Sequence, residues 1–142
     1  MPVLLLAAAA GLSFPAAHEM TMRHGDTFYQ LEYRPHADLD MRTIGMAAGS
    51  RPSTQRCLWS ATLRVERTIR ASGAQDGLRR LLPDARAMEG SRPGPCRQAR
   101  RSIEAELARR IAGSDDHVRA VAQADADAAR ADIEAAHALA AR

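Results

Sequence analysis

The fold class follows from the stretch CLWSATLRVERTI, residues 57–69. Apolar side chains occupy every second position from Cys57 to Val65 and return at Ile69, with Arg67 as the one exception. The intervening positions are mostly polar. This alternation is typical of an antiparallel strand with one buried face. We therefore predict a central strand whose inner face carries a cysteine and the only tryptophan of the chain.

A hairpin is predicted upstream, in the segment HEMTMRHGDTFYQLEYRP, residues 18–35. Gly25-Asp26 is a two-residue turn signal between two alternating runs. A register that puts the apolar side chains on one face is consistent with this turn. It pairs His24 with Thr27, Met22 with Tyr29, Met20 with Leu31 and Glu19 with Glu32. A turn at residues 35–38 and a third, weaker strand at residues 39–46 follow.

Helical periodicity replaces alternation after Gly73. Residues 75–82 predict two helical turns that end at Pro83, and a further turn extends to Gly90. A clearer helix begins at Cys96, where apolar side chains recur every four residues. They are Ala99, Ile103, Leu107 and Ile111.

The last segment, residues 117–142, is rich in alanine and predicts a long helix capped by Ser114. Asp125 and Asp132 fall within its apolar stripe. Because alanine buries little area, we expect this helix to pack weakly or to project from the rest of the protein.

Together these elements predict an α+β domain, with a small antiparallel meander of three to four strands covered on one face by C-terminal helices. We assign residues 18–142 to this single domain, with the meander in 18–70 and the helical part in 71–142. Cys57 and Cys96 predict one disulfide between the two parts. Closing a loop of this length stabilises the fold by about 4 kcal/mol on the chain-entropy model.

Residues 1–17, MPVLLLAAAAGLSFPAA, are apolar and uncharged and predict a secretory leader. Small residues at Ala8 and Ala10, or at Ala9 and Gly11, suit a signal peptidase. The run is too short for a membrane anchor, since polar residues begin at His18. The chain is therefore expected to be exported, as a periplasmic or secreted protein with no transmembrane segment in its mature form.

All 20 basic residues are arginine. Residues 51–110 hold 14 arginines against 6 acids, whereas both ends of the chain are acidic. One interpretation is an anion-binding surface in the arginine-rich middle, and the other is a solvated face balanced by the acidic ends, with a composition set by GC-rich codons. Aromatic residues do not interleave with the arginines, so nucleic acid is not an expected partner. The candidate anion-binding residues are Arg79, Arg80, Arg97, Arg100 and Arg101.

Two further sites are weaker candidates. Histidines and acids near the front of the chain could bind a metal, but turns recruit the same residue types for local reasons. Cys96 has arginine neighbours that would favour a reactive thiol. The candidate metal ligands are His24, Asp26, His36, Asp38 and Asp40.

The sequence contains no phosphate-binding loop and no recognisable combination of nucleophile, base and orienting group. We therefore expect a non-enzymatic structural or binding module of a bacterial cell envelope, without a cofactor. An envelope protein or an anionic envelope component is the expected kind of partner. The alternatives are a metal-dependent or thiol enzyme and an anion-binding envelope protein.

Overall fold

A computed structural model describes residues 11–47, 49–50 and 54–142. These residues form a five-stranded antiparallel sheet followed by two helices, which confirms the α+β prediction. The first ten residues of the predicted leader lie outside the described residues. The elements are β1 (Gly11–Ser13), β2 (His18–His24), β3 (Thr27–Ile44), β4 (Arg56–Ala71), β5 (Leu78–Pro93), α1 (Cys96–Ala112) and α2 (Asp115–Ala140).

The β2–β3 hairpin has the predicted register, pair by pair from His24–Thr27 to Glu19–Glu32. Gly25 has a φ of 59°. Glycine adopts this left-handed conformation without a steric penalty, and glycine at the first central position is typical of a tight hairpin turn. Turn chemistry and hydrophobic pattern agree here, which explains why the register could be predicted.

The first edge of the sheet is formed by β1 and β2 together, because both pair with β3. β1 ends opposite His36 and β2 begins opposite Tyr33, so the gap between them lies beside Pro35. The Tyr33 carbonyl accepts a hydrogen bond from the Ala17 N–H at 3.0 Å on this edge. Pro35, two residues further on, faces the same edge and has no N–H to donate. The predicted turn at residues 35–38 is therefore wrong, since β3 continues through it as one long strand.

β1 contains residues that were assigned to the leader. Leu12 and Phe14 pack against the cluster that α1 covers. The boundary between a leader and the domain at residue 18 stays a prediction.

The predicted helical turns at residues 75–82 are also wrong, because β5 covers residues 78–93 and pairs with β4. β4 would otherwise present a row of unpaired backbone groups at the sheet edge. Residues 82–84 of β5 face the single residue Val65 of β4, which makes a bulge. Pro83 lies in this bulge, where a missing N–H is tolerated.

Both helices pack on the same face of the sheet, over two adjacent apolar clusters. α1 covers the first cluster with its predicted apolar stripe from Ala99 to Ile111, which is buried. The sheet residues of this cluster are Ala37, Cys57, Trp59, Ala61 and Leu63. α2 covers the second cluster, whose sheet residues are Leu31, Tyr33, Val65, Ile69 and Leu82.

α2 lies along the sheet from Val118 to Ile133, so the expectation that it projects is wrong. How strongly it is held remains a prediction. The Ser114 hydroxyl does not cap it, but donates to the Ile111 carbonyl at 2.6 Å. Asp125 and Asp132, which lie in the stripe of α2 that faces the sheet, contact Arg67, the arginine in the buried stripe of β4.

That arginine, Arg67, is fully buried. It donates to Asp125 at 2.8 Å and to Asp132, and Arg80 reaches Asp132 from the edge strand at 3.0 Å. Although burial alone would raise the pKa of Asp132, the hydrogen bonds and charges of Arg80 and Arg67 hold it below its ordinary value. The Tyr33 hydroxyl donates to Asp125 at 3.0 Å. Burial and then the Asp125 carboxylate raise the pKa of this phenol.

Candidate functional site

The two cysteines form the predicted disulfide, with 4.7 Å between the Cα atoms of Cys57 and Cys96. The bond joins the start of β4 to the first residue of α1. The Cys96 N–H also donates to Thr43 Oγ1 at 3.0 Å. No free cysteine is present among the described residues, so the reactive-thiol interpretation of Cys96 is wrong.

Next to the disulfide, Trp59 lies between β5 and α1. A side chain on Gly90 would place its Cβ 2.7 Å from the indole ring, so this position of β5 requires glycine. The Arg110 guanidinium of α1 lies over the Trp59 ring, 5.2 Å from the ring centroid. Such a distance permits a cation–π interaction. The disulfide end of the sheet is therefore closely packed on its helix-covered side.

The opposite face of the sheet carries no helix and is lined by the alternate residues of the same strands. We call it the open face. Near the disulfide end it contains a shallow recess of about 750 Å³. Across the three strands, Asp40, Ser60 and Glu89 form one row of this recess. The next row is Arg42, Leu58 and Ser91.

The recess therefore combines both charges with an apolar centre. Asp40 and Glu89 flank the Ser60 hydroxyl across roughly 10 Å, the width of two strand spacings. Arg56, the first residue of β4, donates to Ser91 Oγ at 2.9 Å and places a second cation at the border of the recess, in addition to Arg42. Hydroxyl, carboxylate and guanidinium groups around one leucine can bind a polar ligand with both donors and acceptors.

Further along the open face, the charges neutralise one another. Glu32 accepts from Arg34 at 2.9 Å and from Arg70 at 2.7 Å. The hydrogen bond from Arg34, opposed by burial and assisted by Arg70, holds the pKa of Glu32 below its ordinary value. His36 lies 3.4 Å from Asp38 and packs on Gly11. Glu32, Arg34 and Arg70 thus neutralise one another on this part of the open face, whereas His36 Nδ1 and Arg64 Nε are buried without a hydrogen-bond partner among the described residues.

The predicted metal ligands are divided between two places. His24 and Asp26 are at the tip of the β2–β3 hairpin, whereas the others, from His36 to Asp40, are on the open face of β3. Within residues 11–47, 49–50 and 54–142, no three His, Cys, Asp or Glu side chains are grouped as a metal site would require. The structure thus does not bring the five candidates together.

The predicted anion-binding arginines are also separated. Arg79 lies opposite Thr68 at one end of β4. α1 starts at Cys96, which is bonded to Cys57 at the other end of β4, and the β4 segment from Cys57 to Thr68 is about 35 Å long. Arg80 pairs with Asp132 at 3.0 Å. Arg100 pairs with Glu104 of its own helix at 3.5 Å. Arg97 and Arg101 share the start of α1, so the five residues do not form one surface.

Other arginines of the middle segment are used inside the fold. Glu106 of α1 accepts from Arg92 of β5 at 2.8 Å and from Arg110, one turn further along α1, at 2.6 Å. The hydrogen bond from Arg92, opposed by burial and assisted by Arg110, holds the pKa of Glu106 below its ordinary value. Arg67, Arg80 and Arg92 of this segment thus tie the sheet to the two helices.

Comparison with protein-family models, with curated proteins and with solved structures finds no significant match to this chain. None of the helices in the described residues combines the length and the apolar character needed to cross a membrane.

The recess was missed in the sequence because its rows come from three separate strands. Its β5 members, Glu89 and Ser91, lie in a segment that was expected to be helical or loop. The alternation of β3 and β4 placed Asp40 and Ser60 on polar faces, but only the register brings them into one row. Assigning residues 78–93 as a strand paired with β4 would have placed Glu89 opposite Ser60 and Ser91 opposite Leu58.

Proposed function

We propose that this protein is an exported, non-enzymatic binding module of a bacterial cell envelope, whose open face docks a protein partner at the Asp40–Ser60–Glu89 recess. The observation that carries the proposal is the contrast between the two faces of the sheet. One face is covered by helices and held by a disulfide, and the other offers a recess with both charges and an apolar centre.

A protein segment suits this recess better than an anionic lipid does. A polypeptide supplies donors, acceptors and charged side chains of both signs, which matches the Asp40 row and the Arg42 row. An anionic surface would need unopposed arginines, whereas Arg34, Arg70, Arg80, Arg92 and Arg110 each pair with a carboxylate of the chain. Mixed-charge surfaces of this kind favour specificity and orientation in complexes.

Export is supported by the disulfide, since such bonds persist in oxidising compartments. If a leader is removed, cleavage after Ala10 would retain β1, whereas cleavage after Ala17 would remove it. We expect mature protein from an envelope fraction to begin at Gly11 or Leu12, as N-terminal sequencing would reveal. A chain that begins at His18, or one that keeps its first ten residues, would contradict this expectation.

The docking proposal is tested with two charge-reversal variants of the full chain, each used as bait in an envelope fraction. Asp40→Arg with Glu89→Arg changes the recess, and Asp127→Arg with Glu134→Arg makes the same charge change on the exposed side of α2. We expect a partner retained by wild type to be lost with the first variant and kept with the second. A partner that is retained by both, or lost only with the α2 variant, would overturn the proposal.

A further inference from the structure

One face of the strand β2 carries only histidine and methionine side chains. In His18–His24, sequence HEMTMRH, alternate residues share one face, so His18, Met20, Met22 and His24 point to the helix-covered side. Imidazole nitrogens and thioether sulfurs are both metal donors, and thioethers are soft ligands. This face of β2 is covered by the C-terminal half of α2.

α2 adds a third imidazole to this face. The rings of His24 and His137 have centroids 4.6 Å apart and are tilted by 42°. Tyr29, directly opposite Met22 in the hairpin, hydrogen-bonds to His137 Nε2 through its hydroxyl. The other ring nitrogen of His137, Nδ1, remains for a metal, and a hydrogen-bonded second nitrogen is the usual way in which ligating histidines are oriented. His137 is intermediate in exposure, because its ring packs against those of His24 and Tyr29.

The donor side chains are partly buried but remain accessible to solvent. Met20 and Met22 pack against the α2 cluster, and both imidazoles are intermediate in exposure. An ion could therefore enter from the hairpin tip and lose most of its water. His18 is six residues from His24, about 20 Å along the strand, so it cannot bind the same ion.

We infer that Met22, His24 and His137, with Met20 adjacent, form a binding site for a soft monovalent metal ion, namely Cu⁺ or its redox-inert analogue Ag⁺. The three donors include a thioether and no carboxylate or thiolate, and this set favours a soft monovalent ion over Zn²⁺, whose usual ligands are imidazole, thiolate and carboxylate. Thioether donors select Cu⁺ in particular. The site lies under α2, on the face of the sheet opposite to the recess. It does not depend on the proposed docking function.

The alternative is that both methionines only fill space between β2 and α2, as methionine often does. Leucine distinguishes the two, since Met→Leu conserves volume and removes the sulfur donor. Met88→Leu is the matched control. It changes a partly buried methionine that packs on the other cluster, beneath α1.

The test uses untagged, disulfide-intact full chain titrated with Ag⁺ in air, and with Cu⁺ under anaerobic conditions against a chromophoric chelator. We expect one equivalent to bind to wild type and to Met88→Leu, with sulfur in the first coordination sphere by X-ray absorption. Met22→Leu and His137→Gln should each weaken binding at least tenfold. Thermal melts should show that Ag⁺ stabilises wild type but not Met22→Leu, because a ligand of the folded state raises its melting temperature.

Melts without metal verify that the variants fold. The inference is overturned if wild type binds no ion, if the bound ion has no sulfur ligand, or if Met22→Leu binds as tightly as Met88→Leu. If His137→Gln proves unfolded, the Met22→Leu and Met88→Leu pair still decides the outcome.

Discussion

The two ends of the helix-covered face solve the same packing problem by different means. At one end, α1 covers the cluster of Cys57 and Trp59 with four apolar side chains and is tied to the sheet by a covalent bond. At the other end, α2 buries two valines, two alanines and one isoleucine and places two carboxylates against the buried guanidinium of Arg67. We call them the disulfide end and the ionic end.

The difference shows what each arrangement demands. An apolar stripe tolerates small shifts, because dispersion and hydrophobic burial are not directional. A buried ion pair must be complete, since losing one partner leaves an uncompensated charge in the core. At the ionic end, Ala122 and Ala129 are buried in the same stripe of α2 from which Asp125 and Asp132 reach Arg67. We therefore expect the two ends to respond differently to substitution.

The largest effect is expected at the disulfide end, where Cys57→Ala with Cys96→Ala should lower the free energy of unfolding by about 4 kcal/mol. The cause is the larger conformational freedom of an unfolded chain without the 39-residue cross-link. Reduction of the wild-type protein should have the same effect, as followed by thermal unfolding. An unchanged stability on reduction would mean that apolar packing alone holds α1.

The next largest effect is expected from Arg67→Leu at the ionic end. Asp125 loses its guanidinium partner and Asp132 retains only Arg80, so we expect the free energy of unfolding to fall by about 3 kcal/mol, measured by denaturant titration. Combining it with Asp125→Leu, Asp132→Leu and Tyr33→Phe should restore most of the loss, because apolar replacement of a complete buried network is often neutral and Tyr33→Phe removes the hydroxyl that donates to Asp125. A loss below about 1 kcal/mol for the single variant would show that the ionic end is not dependent on its charges.

A smaller effect is expected from Gly90→Ala, also at the disulfide end. The added Cβ would lie 2.7 Å from the Trp59 ring, so either the indole ring or the β5 backbone must move. Overpacking of this kind costs about 1 to 3 kcal/mol. Gly49→Ala is the control, because nothing lies within 4 Å of its Cβ. The two melting temperatures should differ, and equal values would argue that the Trp59 region is loosely packed.

The smallest effect is expected in the pH dependence of stability, to which the carboxylate of Asp132 contributes at the ionic end. Because the folded-state pKa of Asp132 is below the ordinary value of 3.8, its contribution is present above that pH and is lost as the pH falls through the folded value. The stability difference between wild type and Asp132→Asn should therefore shrink below about pH 4. Paired unfolding curves from pH 7 to pH 3 measure this. A constant difference would show that the carboxylate acts through packing.

Local patterns were sufficient for the parts of the fold governed by periodicity and turn chemistry. The hairpin register around Gly25 and the buried stripe of α1 were predicted residue by residue. β5 was missed because its arginines and adjacent leucines suit a helix as well as an edge strand. Pairing with β4 overrode that local preference.

The sequence by itself determined the class of the protein, the disulfide and the two best-patterned elements, because alternation and helical spacing are properties of neighbouring residues. Only the tertiary structure decided three other features: the meeting of Arg67 with Asp125 and Asp132, the row of Asp40, Ser60 and Glu89, and the approach of His137 to His24. Each joins residues that are distant in the chain, and in one-dimensional patterns each appears as an interruption or an isolated polar group. Charges that look misplaced in two separate amphipathic patterns become a pair once the strand and the helix are packed, since burying either one alone would be unfavourable.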